Sequence, residues 1–113
     1  MNIESTVARL LRDATRTKAY LDVPADRPDE FITVEQTGSA EGRNLSRVSL
    51  AVQAWASTRY RARELAYQLK EAVYSLDSEA NIFNPEVEGI YNTPDPDSGA
   101  PRYQLGVVVY ICE

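Results

Sequence analysis

The chain has 113 residues, 43% hydrophobic and 26% charged, which suits a single domain over residues 1–113 able to bury a core without metal or disulfide support. Twelve basic against seventeen acidic residues give a formal charge of −5, so the overall basic field that neutralises phosphates is excluded. With no histidine and one cysteine, Ser-His-Asp and Cys-His catalysis and an intrachain disulfide are excluded too.

The N-terminal residues Met1 to Ser5 show neither a basic region nor a long apolar run, so no signal peptide or membrane anchor is expected. From Ile3 to Ala14 the apolar residues Ile3, Val7, Leu10, Leu11 and Ala14 form one helical stripe. Tyr20 to Val23 reads as a brief strand stopped by Pro24, and residues 24–29 as a turn-rich connection. Glu30 to Thr37 reads as a strand, with β-branched Ile32, Thr33 and Val34. Thr37 to Asn44 reads as a glycine-bearing loop.

Leu45 to Ala56 alternates: Val48, Leu50, Val52 and Ala54 point one way, and Arg47, Ser49, Gln53 and Trp55 the other. Ser57 or Thr58 can cap the next helix. Residues 58–76 carry the strongest helical stripe, through Ala62, Leu65, Ala66, Leu69, Ala72, Val73 and Leu76. Two strands follow: Val87 to Tyr91, interrupted by Gly89, and Tyr103 to Cys112. The proline-rich segment Asn92 to Pro101 lies between them. The predicted fold is α+β: a small antiparallel sheet with two helices packed on one face, in the order α-β-β-β-α-β-β. Its common core is expected from Val48, Leu50, Val52, Leu65, Leu69, Val73, Leu105, Val107 and Val109.

No phosphate-binding glycine motif is present. Asp95 with Asp97, and Glu86 with Glu88, place carboxylates close in sequence, but hard cations need six or more oxygens and no such spacing occurs. A solvated turn and an exposed strand face are the simpler readings. Cys112 has no local partner and reads as a small apolar filler. No catalytic, cofactor-binding or metal-binding residues are assigned, and no enzyme is expected. Arg59, Arg61 and Arg63 open the long helix, where Glu64 and Glu71 dilute their field. Trp55, Tyr60, Tyr67, Tyr74 and Tyr110 fall mainly off the core-facing stripes. Tyrosine, tryptophan and arginine are enriched at protein interfaces, so this composition points to assembly.

Three segments carry a family resemblance. One runs from Leu50 through Trp55-Ala56-Ser57-Thr58-Arg59 to Ala62 and Glu64-Leu65-Ala66. Another is Ile90 to Leu105, with Pro94-Asp95-Pro96-Asp97-Ser98-Gly99 at its centre. A weaker one joins Tyr20-Leu21-Asp22-Val23-Pro24 to Phe31-Ile32-Thr33-Val34-Glu35. Together they resemble tail terminator, or tail completion, proteins of long-tailed bacteriophages, especially the actinobacterial phage and prophage type. The likeness spans most of the chain beyond residue 18.

That resemblance implies a virion protein: a hexameric ring on the head-proximal end of the tail tube, assembled in the host cytoplasm. The ring stops tube polymerisation and presents the head-joining surface. The implied partners are further copies of the chain, the tail tube protein and a head-completion protein, with no specific nucleic-acid binding and no membrane. Candidate subunit or tube contacts are Trp55, Arg59, Tyr60, Arg63, Tyr67, Glu41 and Arg43. Asp95 and Asp97 are candidates for a channel-facing or tube-facing loop. Alternatives are a head-completion or connector protein of the same phage, or, from a different class, a small ligand-binding regulatory module.

Overall fold

The computed structural model describes residues 2–78 and 81–112. Helix α1 spans Ile3–Thr15, and the Asn2 side chain caps it by accepting the Ser5 N–H at 3.1 Å. Strand β1 is Ala19–Tyr20, β2 is Phe31–Ala40 and β3 is Leu45–Trp55. Helix α2 spans Arg59–Tyr74, followed by a 3-10 turn at Leu76–Ser78. Strands β4, Ile82–Asn92, and β5, Arg102–Cys112, complete the order α-β-β-β-α-β-β. Thr58 supplies the cap of α2, its hydroxyl accepting the Arg61 N–H at 3.2 Å.

The five strands lie in the order β1-β2-β3-β5-β4. β2, β3, β5 and β4 are antiparallel neighbours, whereas β1 pairs parallel to β2. The sheet is therefore mixed, a correction to the antiparallel expectation. Its reason is the connection through residues 21–30, which returns the chain to the same end of the sheet. That connection also trims β1 from the expected Tyr20–Val23 to Ala19–Tyr20: after Tyr20 the chain turns away over the sheet.

The expected loop Thr37 to Asn44 is mostly strand. β2 continues to Ala40 through a bulge between Gln36 and Gly38, and only residues 41–44 connect it to β3. β4 begins at Ile82, earlier than expected. Asn84, at φ +48°, and Pro85 interrupt its register, and a second irregularity falls between Val87 and Gly89. These features are tolerated because β4 is an edge strand, where a missing ladder donor costs little.

Both helices pack on one face of the sheet. Ile3, Val7 and Leu11 of α1 and Leu65, Leu69 and Val73 of α2 join Ile32, Val34, Val48, Leu50, Val52, Leu105, Val107 and Val109 in one cluster. All nine expected core residues belong to it. Alternation along β2, β3 and β5 then turns Phe31, Thr33, Glu35, Ala51, Gln53, Trp55, Arg102 and Gln104 to the opposite face, which no helix covers.

Candidate functional site

The uncovered sheet face has a closed end and an open remainder. At the closed end the Trp55 and Phe31 rings stack with centroids 5.1 Å apart and planes 13° apart, and Tyr20 meets Phe31 edge-on at 6.1 Å. Arg27 and Arg102 bring their guanidinium carbons to 5.3 and 5.1 Å from the Trp55 ring centroid. A cation over an indole face is attracted by the ring quadrupole. The Trp55 indole N–H donates to Thr33 Oγ1 at 3.1 Å, Thr33 donates to Gln53 Oε1 at 2.9 Å, and Gln53 Nε2 donates to Gln104 Oε1 at 2.9 Å. This relay crosses β2, β3 and β5 and satisfies polar atoms that packing removes from water.

The turn between β4 and β5 is built onto the same cluster. The Asp95 carboxylate accepts the Ser98 backbone N–H at 3.2 Å and the Ser98 hydroxyl proton. Arg27 and Arg102 lie 4.0 and 3.9 Å from it, and Arg102 Nε donates to the Thr93 carbonyl at 2.7 Å. The Ser98 hydroxyl, helped by backbone N–H groups and Arg102, holds the Asp95 carboxyl below its ordinary range, against the opposing effect of burial.

Two expectations are corrected here. Trp55 is only 3% exposed, because Phe31, Arg27 and Arg102 cover it, so its surface is used within the chain and not offered to a neighbouring subunit. Asp95 is likewise buried, turned into its own loop by Ser98 and Arg102, and does not line a free surface; Asp97 is exposed. The cover comes from residues 27–31 and 93–102, distant from Trp55 in sequence, and no local periodicity announces it.

The remaining candidates are at the surface. Glu41 and Arg43 sit in the β2–β3 connection. Glu41 is organised there by the hydroxyls of Ser46, at 2.6 Å, and Ser39, at 3.0 Å, which hold its carboxyl below the ordinary range. Arg59, Tyr60, Arg63 and Tyr67 line the outer face of α2, with Arg63 stacked 4.6 Å over the Tyr67 ring. Tyr74 continues the stripe. Residues seven apart drift by only about 20° around a helix, so Tyr60, Tyr67 and Tyr74 stand in one row. Their exposures are 67, 41 and 45%. Arg61 leaves this row and forks onto Glu30 at 2.8 and 3.0 Å, tying α2 to the segment before β2.

The open remainder of the sheet face holds a shallow cleft of about 150 Å³ lined by Leu21, Asp22, Val23, Thr33, Glu35 and Gln53. The sequence does not single it out, because Leu21 and Val23 read as strand residues there. Their alternation with Asp22 ahead of Pro24 gives no signal that they stay exposed. No helix among the described residues is long and apolar enough to cross a membrane. No protein-family model and no curated protein matches this sequence.

Proposed function

We propose that the chain is a structural subunit of a phage tail. In this reading copies of it form a ring on the head-proximal end of the tail tube, end tube growth and offer the surface to which the head joins. The observation that carries the reading is a pair of unlike, uncovered surfaces on opposite sides of one fold. The helix layer turns Tyr60, Arg63, Tyr67 and Tyr74 outward. The far side of the sheet leaves Leu21, Val23 and Tyr91 exposed.

A surface that joins a different surface on the next copy makes a heterologous contact, and such contacts close into rings when the rotation allows. The two faces of a cyclic ring are never equivalent. One can adhere to a tube end while the other offers no site for a further tube subunit. The segments around Trp55-Ala56-Ser57-Thr58-Arg59 and Pro94-Asp95-Pro96-Asp97-Ser98-Gly99 add their likeness to tail terminators. They act through the fold: both belong to the closed cluster that fixes the β3–α2 corner.

The test is deletion of the gene from an inducible phage that carries it. Filled heads without joined tails, together with free tails of abnormal length, are expected. Tails of normal length that join heads would overturn the reading.

A further inference from the structure

Tyr60 has the highest exposure of the large hydrophobic residues among those described, 67%. It projects from the first turn of α2, with Glu64 one turn on. Arg59 and Arg63, four residues apart, flank it on the helix surface. Arg59 has no partner among the described residues, and Arg63 lies over the Tyr67 ring and within electrostatic reach of the Tyr60 hydroxyl.

The cleft on the sheet face has the opposite character. Leu21 and Val23 give it an apolar wall, 38 and 39% exposed, and Thr33 and Gln53 form its polar floor. Asp22 and Glu35 contribute carboxylates, and neither has a partner among the described residues. Its volume, about 150 Å³, suits the end of one side chain and not a helix.

We infer that the cleft receives Tyr60 of a second copy of this chain, with that copy's Arg59 and Arg63 facing Asp22 and Glu35. The occupant is a second copy because both halves of the match are on one chain: an exposed aromatic between two arginines, and an apolar cleft between two carboxylates. Charge complementarity of this kind fixes partner and register more than it adds raw affinity. The aromatic supplies the buried anchor. The donor and acceptor surfaces differ, so each copy keeps one of each after pairing, and the contact propagates head to tail. The inference rests on the ring reading above and names the contact that closes the ring.

Zero-length carbodiimide cross-linking tests it. In an Arg63→Lys variant the new amine stands where the guanidinium stood, and an equal mixture of isotope-labelled and unlabelled chains reports only links between copies. The expected product joins residue 63 of one copy to Asp22 or Glu35 of another. Tyr60→Ala and Glu35→Arg should each weaken self-association, read by light scattering over a concentration series, by roughly tenfold or more. Arg63→Glu combined with Glu35→Arg should restore it. These residues lie outside the core cluster, so unchanged circular dichroism is expected for every variant.

Absence of the intermolecular link in concentrated protein overturns the inference. If rings form but their links map to other residues, this contact is wrong and the ring reading stands. If the link forms and deletion of the gene leaves tails normal and joined, the contact stands and the tail reading falls.

Discussion

Asp95 and Arg102 face each other at 3.9 Å across the base of the β4–β5 turn, and the same guanidinium lies 5.1 Å over the Trp55 ring. One arginine thus joins a proline-rich turn to the aromatic cluster at the end of β3. Arg27 repeats the arrangement from the segment before β2, touching both the indole face and Asp95. The aromatic cover and the turn form one structure, and disturbing either should loosen the other.

The first prediction separates buried aromatic from exposed aromatic. Trp55→Ala should cost about 3–5 kcal/mol, because it deletes a large buried ring and leaves a cavity beside Phe31. Tyr60→Ala, on the outside of α2, should change stability by no more than about 0.5 kcal/mol. Urea unfolding of the two variants beside the wild type checks this. Equal losses would mean that Trp55 is not the packed residue of the pair.

Asp95 predicts the acid behaviour. Its carboxyl is held below the ordinary value near 3.8, chiefly by the Ser98 hydroxyl. A carboxylate whose folded pKa is depressed contributes stability that is fully present above the unfolded pKa and is lost as pH falls through the folded one. Glu30 is shifted the same way, chiefly by its hydrogen bonds to Arg61. Stability should therefore fall as pH drops below about 4, and Asp95→Asn should flatten that fall while lowering stability at neutral pH. Denaturation midpoints measured from neutral pH to about pH 3 check it. An unchanged acid slope in Asp95→Asn would contradict the role given to the Ser98 contact.

The core was legible because its signals are local. Leu65, Leu69 and Val73 repeat at helical spacing, and Val48, Leu50 and Val52 alternate, so each element declares its buried side before any partner is known. The start of β4 was not legible. Asn84 and Pro85 break the alternation there, and only pairing with β5 makes Ile82 and Phe83 part of a strand. The fate of Trp55 was hidden for a different reason. Its neighbours in β3 place it opposite the helices, and exposure follows from that unless something else covers the sheet. The cover is two arginines and a phenylalanine from distant segments, and arginines carry no hydrophobic pattern. Among the surface candidates, Arg59, Tyr60, Arg63 and Tyr67 could be found from α2 alone, because a helix with one apolar stripe leaves its other side outward. The cleft they are matched with could not, since it depends on the path of residues 21–30 over the sheet.

A pair of glycines offers a cleaner test of backbone strain than any side-chain deletion. Gly99 closes the β4–β5 turn at φ +73°, and a Cβ there would meet nothing within 4 Å. Any cost of Gly99→Ala is therefore conformational, about 1–2 kcal/mol for an L residue in the left-handed region. Gly38, beside the β2 bulge, is equally open but has no such φ. Gly38→Ala should leave stability unchanged or raise it by up to about 1 kcal/mol, since alanine narrows the unfolded ensemble. Thermal unfolding of the two variants decides the matter, and a destabilised Gly38→Ala would argue that β2 needs its freedom at the bulge.

The last prediction concerns DNA. On the proposed ring reading, a channel that passes a genome must not grip it, and an acidic balance such as this chain's would serve that need. At −5 per copy, such a ring would repel phosphates at short range. Arg59, Arg61 and Arg63 gather in the first turn of α2. There Arg61 is spent on Glu30 through two hydrogen bonds. Arg59, Arg63 and Lys70 remain, interleaved with Glu64 and Glu71. Duplex DNA should therefore bind no more tightly than the ordinary non-specific range of about 10⁻⁴–10⁻⁶ M at physiological salt. Reversing Glu64 and Glu71 to lysine should create the patch that the native helix lacks. Binding should then appear with a log–log salt slope near −0.9 for each phosphate contacted. Fluorescence anisotropy of a labelled duplex over a salt series measures both. Nanomolar, steeply salt-dependent binding by the unaltered chain would show that the arginines of α2 form a nucleic-acid site, and would remove the reason for placing this protein on the path of the DNA.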